Sequence, residues 1–458
     1  MGSDLRSFLQ KIDNNILKIK KQVNCEQNIG DLCSQSKHPL LFENIENYPD
    51  WKLYSQLLYL RENQAKAINT TSENLLEVIE KKFTKGPGKI VEVFDAPVKE
   101  KIYTGKQINI FNLPIVKHSP KDGGRFLGSA MGVLRDPESN FQNVSFFRIH
   151  VREKNWTAIN IGSPHAKKII QKYHSQNRAA PVALVIGHHP CFEIATNYWG
   201  NHDGYSEHEL AASLLDETVE FICCETSKIL VPARAEIVVE GEIPPNITVD
   251  EGPFGEFNCY YSPKTVKPKM DIKAITMRKD AIFRHVNASP FTEHQVLASL
   301  PAQARMYQDI KGMGALVHDV SIPSWGALFI TVIKLTPNIE EQVKHILVST
   351  LCSTYWPFSK MAIAVDHDVD IFDPLELFHS IATRVNPAQD ITIIDRTMSF
   401  PSDISVPRIK DIDTIIRSGS KVAIDATKPP LQKKAQRSFF DRISPKGWRN
   451  VKLEDYIS

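Results

Sequence analysis

The chain has 458 residues, of which 42% are hydrophobic and 24% charged. That is ordinary globular usage, enough to bury cores in two or three domains, and it excludes disorder, a collagen-like fibre and a disulfide mini-protein. Lys+Arg 55 against Asp+Glu 53 gives a formal net charge of +2, so no global basic field draws the chain to nucleic acid or an anionic membrane. The seven cysteines are scattered with no CxxC pair, which argues against a zinc cluster or disulfide framework and points to a reducing, cytoplasmic setting. The opening MGSDLRSFLQKIDNNILKIKK lacks a continuous apolar core and a cleavage site, so it does not read as a secretory signal. The longest apolar stretch, near Trp325 to Ile333, is too short to span a bilayer.

In chain order, Leu5, Phe8, Leu9, Ile12, Ile16 and Leu17 recur at helical spacing after a cap at Ser3 or Asp4. A second helical pattern runs over 72–83, and the glycines of GPGK then break the chain. Between about 105 and 290, short runs such as FFRIHV, TAINIG, ALVIG, AEIVVEGEI, FNCYY and DIKAITM predict a mainly antiparallel β domain, sandwich or barrel. One helix is expected there, at EHELAASLL, with Ser206 as cap. Residues 292–311 read as a helix interrupted at Pro301. Beyond it, strands and helices alternate, which implies crossovers and a partly parallel sheet. The basic tail after Pro429 reads as irregular.

Several familiar chemistries are not written here. There is no GxGxxG, no P-loop, no HExxH and no GxSxG elbow. Asp366, Asp368 and Asp370 resemble the start of a calcium loop, but Ile371 and Leu377 stand where Gly and Glu are needed. His188 and His189 lack a matching carboxylate and read as structural.

The most unusual string is EGPFGEF. Glu251 and Glu256 bracket Gly-Pro-Phe-Gly, and the glycines and proline impose a tight reversal. Two acids beside one cation can separate in pKa, leaving one able to hold a proton for transfer. A hairpin with two solvated acids fits the spacing as well. A second string, NVSFFR, puts Asn143 and Arg148 on opposite faces of one strand unless a bulge or turn intervenes. His165 follows a Ser163-Pro164 turn, and Glu207 starts a helix. Asn143, His165 and Glu207 form an O/N/O set that suits Mn²⁺ or Mg²⁺, although each residue alone has a structural role open to it.

NVSFFR, SPHAKK, DGYSEHE, AEIVVEGEI followed by EGPFGEF, and SKVAIDAT, in this order, resemble the UbiD family of reversible decarboxylases. The likeness runs from Asp122 in DGGRF to Thr427. It implies a mixed α+β chain: an N-terminal α/β region at 1–104, a split β-barrel flavin-binding domain at 105–291, a linker helix at 292–313, a C-terminal α/β oligomerisation domain at 314–428 and a tail at 429–458. By resemblance, Arg148, Glu251 and Glu256 are the catalytic Glu–Arg–Glu network. Asn143, His165 and Glu207 hold a divalent metal, usually manganese, that bridges to the phosphate of prenylated FMN. Lys421 pairs with that phosphate, and Ser145, Phe146, Phe147, Arg148, Pro164 and His165 line the cofactor. A monovalent cation, commonly potassium, is implied nearby, though Thr196-Asn197-Tyr198-Trp199 departs from the small-residue pattern of its site.

The resemblance further implies a homo-oligomer, a UbiX-type flavin prenyltransferase as cofactor supplier, and decarboxylation of an aromatic, heteroaromatic or α,β-unsaturated acid. Two alternatives stay open. One is 4-hydroxy-3-polyprenylbenzoate decarboxylase of ubiquinone biosynthesis, whose branch of the family carries Asp where this chain has Glu256. The other is a flavin-binding protein or reductase without decarboxylase turnover. Ile161 is expected to face the substrate, with His294, Arg305 and Trp325 near the pocket.

Overall fold

The structure is a computed structural model that describes residues 2–139, 141–200, 204–400, 402–406, 417–442 and 455–456. The chain divides into two compact units. The first holds Met1–Gln308, Ile322–Phe329 and Ser402–Ile404, and the second Asp309–Ser321, Ile330–Pro401 and Ser405–Ser458.

The first unit is built on a ten-stranded sheet. Its path runs Phe126–Leu127, Arg148–Glu153, Trp156–Asn160, Thr265–Met277, Ile237–Ile243, Ala180–Ile186, Met131–Arg135, Gln142–Phe146. Lys101–Thr104 and Thr248–Glu251 also pair with the long strand Thr265–Met277. Every pairing is antiparallel, as the alternating Val, Ile and Thr of these runs predict. Among the described residues the path is open and does not close into a barrel. The buried core on this sheet includes Ile149, Ile159, Leu184, Val239 and Ile272.

A second sheet in this unit joins Leu17–Ile19, Leu40–Phe42, Lys52–Ser55 and Ile282–Arg284. Its last strand lies parallel to Lys52–Ser55, so a segment read with the central β domain pairs with the N-terminal region. Arg284 is fully buried and forks to Glu193 (2.8 and 2.7 Å) and to Glu293 (2.7 and 2.8 Å). Glu293 also accepts the backbone N–H groups of Gln56 and Leu58, at 2.6 and 3.0 Å. A charge this deep persists only with such complete pairing.

The helices correct three expectations. The first helix is Leu5–Ile12, capped by Asp4, and stops there. A short 3-10 turn follows, and Leu17 opens a strand instead of continuing the apolar stripe. The β domain holds more helix than its pattern suggests. Pro164–Ser175 and Pro190–Thr196 join the expected Glu207–Leu215. The helix at 292–311 is not interrupted: Glu293–Gly312 runs through Pro301. Pro301 removes only one ladder hydrogen bond, that to the Leu297 carbonyl, and the helix continues past it.

The second unit carries a five-stranded sheet in the order Leu316–Ser321, Ile330–Thr336, Met361–Val365, Arg417–Ala426, Ile391–Ser399. The three central strands run parallel and the two outer ones antiparallel. The aspartates of the calcium-like run meet cations of the protein: Asp366 pairs with Arg437, and Asp368 with Arg384 and Lys428.

Candidate active site

The break in the strand at Phe147 makes the site. Gln142–Phe146 pairs with Met131–Arg135, whereas Arg148–Glu153 pairs with Trp156–Asn160. Asn143 and Arg148 therefore lie on different strand pairs, and the opposite-face rule for one continuous strand does not apply. Phe147 turns into the core with 2% exposure. Its ring lies against Gly132, where any Cβ would meet it at 2.0 Å. A larger residue than glycine cannot stand there.

Arg148 reaches both acids of the EGPFGEF turn. Its Nε and Nη2 donate to Glu251 at 2.7 and 2.9 Å, and its Nη1 donates to Glu256 at 2.7 Å. The guanidinium also lies over the Phe254 ring, 4.5 Å from the centroid, a cation–π contact that fixes its plane. The two acids differ in access: the Glu251 side chain has no exposure, while Glu256 keeps 20% and Arg148 18%. Burial opposes the charge of Arg148, but Glu256 and Glu251 outweigh it and raise its pKa above the ordinary value.

The turn itself is set by Gly252, at φ +85, followed by a cis Gly252–Pro253 peptide. Phe254–Gly255 then pairs with Tyr261–Ser262, and the Glu256 N–H donates to the Tyr260 carbonyl at 2.9 Å. Of the run FNCYY, expected as a strand, only Tyr261 lies in one.

A second cluster gathers around Asn143. Glu207 opens the helix Glu207–Leu215, whose capping box uses Ser206 and Glu209. Its carboxylate accepts Asn143 Nδ2 at 2.9 Å and the Val144 N–H at 2.7 Å. Asn143 Oδ1 accepts the hydroxyls of Ser145 and Ser163, each at 3.2 Å. Burial pushes the Glu207 carboxyl up to about 7, against the lowering effect of the Val144 and Asn143 bonds. Asn160 pairs with Arg148 across the sheet, and Ser163 follows three residues later, so one strand end connects the two clusters.

Pro164 and His165 are exposed at the first two positions of the helix Pro164–Ser175, which Ser163 caps. The signal for this helix was in the sequence: a Ser cap, Pro at the first position, and apolar residues at 166, 169, 170 and 173. Lys421 lies in the second unit, on Arg417–Ala426, where its Nζ donates to the Leu351 and Pro357 carbonyls at 2.6 and 3.2 Å. Burial lowers its pKa. Ser145 and Phe146 are half-buried beside Asn143 in sequence. Ile161 is a core residue with 8% exposure. His294 is half-buried, with a buried Nδ1 that meets no partner among the described residues and its ring 6.2 Å from Phe257. Arg305 pairs with Glu80 at 3.3 Å, and Trp325 lies in the turn Ser324–Gly326. Sequence reasoning gave no role to Ser163 or Phe254, although both stand inside the quoted strings.

The family model described as the 3-octaprenyl-4-hydroxybenzoate carboxy-lyase Rift-related domain matches residues 89–290, and its C-terminal domain model matches 295–426. The chain belongs to the UbiD family of carboxy-lyases. Among relatives, the UbiD-family chain is 26% identical over 442 residues to anhydromevalonate phosphate decarboxylase of Methanothermobacter thermautotrophicus, covering 96% of this chain and 99% of that one. It is 27% identical to phenolic acid decarboxylase of Sedimentibacter hydroxybenzoicus, covering 93% and 92%. The UbiD-class enzyme HmfF of Pelotomaculum thermopropionicum, solved with FMN, superposes with a TM-score of 0.88 at 30% identity, covering 99% and 100%. An evolved dimeric form of HmfF, solved with prenylated FMN, gives 0.86 at the same 30% identity over 100% of both chains.

Proposed function

We propose that this carboxy-lyase decarboxylates an aromatic, heteroaromatic or α,β-unsaturated carboxylic acid with prenylated FMN, through Arg148, Glu251 and Glu256. The observation that carries the reading is the donor count on Arg148. A guanidinium has five N–H groups. Glu251 and Glu256 take three of them, and five less three leaves two, one on Nη1 and one on Nη2. These lie on the two terminal nitrogens, from which a guanidinium makes its end-on bidentate contact with a carboxylate. Glu251, with no exposure, fixes the fork. Glu256, partly exposed, is the acid that returns a proton to carbon after CO₂ leaves. Prenylated FMN, when bound, supplies the electron sink that side chains lack for the charge left on an sp² carbon.

Asn143, His165 and Glu207 would hold the divalent ion, manganese in this reading, beside the cofactor phosphate. Their chemistry fits: two oxygens and one imidazole suit a hard divalent cation, and the buried carboxyl of Glu207 is a group such an ion would keep ionised. Lys421 donates two of its three ammonium protons to carbonyls; its pairing with phosphate rests on the family resemblance. For potassium, Thr196 Oγ1 donates to the Phe192 carbonyl and Asn197 Nδ2 to that of Glu193. No ligand set for this ion is assigned.

The antiparallel sheet supports a split-barrel flavin domain at 105–291; the linker at 292–313 and an oligomerisation domain at 314–428 rest on the family resemblance. Self-association is supported by Phe372, Leu375 and Phe378, which are 50%, 78% and 62% exposed in the second unit. No helix among the described residues is long and apolar enough to cross a membrane, and cytoplasmic residence is part of the same reading.

The test is co-expression with a UbiX-type flavin prenyltransferase, followed by a panel of phenolic, heteroaromatic and phosphorylated enoic acids. CO₂ release with one solvent deuterium placed on the product carbon is the expected result. A cofactor-loaded enzyme that releases CO₂ from none of the panel leaves the flavin-binding alternative instead.

A further inference from the structure

The EGPFGEF turn does not hold itself. Of the amide groups between its two acids, the Gly252 and Gly255 N–H groups and the Pro253 carbonyl are met from outside, and all three partners come from two short segments. Asp122 Oδ1 accepts the Gly255 N–H at 2.7 Å, while its Oδ2 accepts the Ser119 N–H at 2.9 Å. The Gly123 N–H donates to the Pro253 carbonyl at 2.8 Å. His150 Nδ1 accepts the Gly252 N–H at 3.3 Å.

The approach is close enough to demand glycine on both sides. A Cβ on Gly123 would meet the Gly252 carbonyl oxygen at 2.3 Å, and one on Gly255 would meet Ser119 Oγ at 2.5 Å. Below the turn, Phe254 packs on Phe126 at 4.7 Å, and Phe126 stacks on His150 at 4.3 Å. Burial pushes His150 down to about 4, so at neutral pH it is a neutral imidazole able to accept.

We infer that Asp122 is a positioning residue for Glu256: by gripping the amide immediately before it, the buried carboxylate sets where the proton-returning acid stands relative to Arg148. The inference rests on the reading of Glu256 given above. Asp122 itself is 5% exposed and touches no atom of the Arg148 network in its hydrogen bonds. Its action is through the backbone. Gly123 and His150 hold the other end of the turn, beside Glu251, so the two acids are clamped separately.

The experiment compares wild-type, Asp122→Ala and Asp122→Asn holoenzymes by turnover, solvent deuterium isotope effect and amide hydrogen exchange over residues 251–257. In the Ala variant, kcat should fall about 10- to 100-fold, the range one charge-assisted hydrogen bond covers, with KM within about threefold of wild type. The isotope effect on kcat should rise, because a displaced acid makes proton return slower, and the Gly255 amide should exchange faster. The Asn variant keeps an oxygen for Gly255 and should recover most of the turnover. It also serves if the Ala variant does not fold. An Ala variant that loses activity only in proportion to folded protein, with an unchanged isotope effect, overturns the inference, as does a folded Asn variant that loses turnover while its Gly255 amide exchanges as in the wild type. So does unchanged exchange at Gly255 in the Ala variant. Silence of the wild type toward every acid overturns the decarboxylase reading instead, and the exchange measurement still decides whether Asp122 holds the turn.

Discussion

Glu251→Gln is the sharpest test of the guanidinium fork, because it changes one atom of an unexposed side chain. In the wild type, Arg148 Nε and Nη2 each donate to a Glu251 oxygen, at 2.7 and 2.9 Å. The glutamine keeps one acceptor and turns an NH₂ toward the other donor. One charge-assisted bond is lost, at about 1.5–3 kcal/mol, and a buried donor is left facing a donor, at about 1–3 kcal/mol. Arg148 is not released entirely, since Glu256 at 2.7 Å and the Phe254 face at 4.5 Å remain. The net loss should therefore sit near the low end, about 2–3 kcal/mol, which is roughly a 30- to 150-fold fall in kcat/KM. Steady-state CO₂ release on the best acid of the panel reads it, with a thermal melt to show that the variant is folded. A folded variant with kcat/KM within about threefold of wild type would mean that Arg148 needs no fork from Glu251, and the donor-count argument would fail.

Other outcomes follow from the same geometry. Glu256→Gln should retain flavin and metal, read by absorbance and metal analysis, while turnover is lost; full turnover would remove Glu256 as the proton donor. In metal-free protein the Glu207 carboxyl has a folded value of about 7 against an ordinary 4.5. The folded state then holds the extra proton between those values, so stability falls as pH rises from 4.5 to 7, by about 3 kcal/mol in all. Urea midpoints in chelator should show this slope in the wild type and not in Glu207→Gln, and equal slopes would refute it. Added Mn²⁺ should restore more stability at pH 7.5 than at pH 5. Arg284→Met leaves Glu193 and Glu293 buried without their shared cation and should cost about 3–5 kcal/mol in urea unfolding; a loss under about 1 kcal/mol would show that the two acids protonate at little cost.

Local pattern made much of this molecule legible. The strands Ile330–Thr336, Met361–Val365, Ile391–Ser399 and Arg417–Ala426 of the second unit follow from period, as do the helices Glu207–Leu215 and Pro374–Arg384, whereas the second unit's edge strand Leu316–Ser321 carries no such signal. EGPFGEF announced its reversal through Gly and Pro. What pattern could not give was pairing across distance. Arg148 and Glu251 stand 103 positions apart, and nothing in either string states that one will face the other; the family resemblance supplied it. Strand period left the relation of Asn143 to Arg148 open, subject to a break between them; Phe147 supplies that break by leaving the strand for the core, where its ring fills the space over Gly132. Leu17 was counted into the first helix because its apolar side chain kept the period, although it opens a strand and stays 49% exposed. The partners of buried charges were the least legible of all. Arg284 reads as an ordinary strand residue until Glu193 and Glu293 converge on it through four hydrogen bonds.

That convergence bears on how the protein can be cut. The first of the two family models begins at residue 89, which invites a shortened version lacking everything before it. Such a fragment would keep Arg284, Glu193 and Glu293, yet strip Glu293 of the Gln56 and Leu58 amides and leave Ile282–Arg284 with no neighbour on its Lys52–Ser55 side. The leading segment is thus a working wall of the catalytic body, and a smaller enzyme would have to rebuild it in another form.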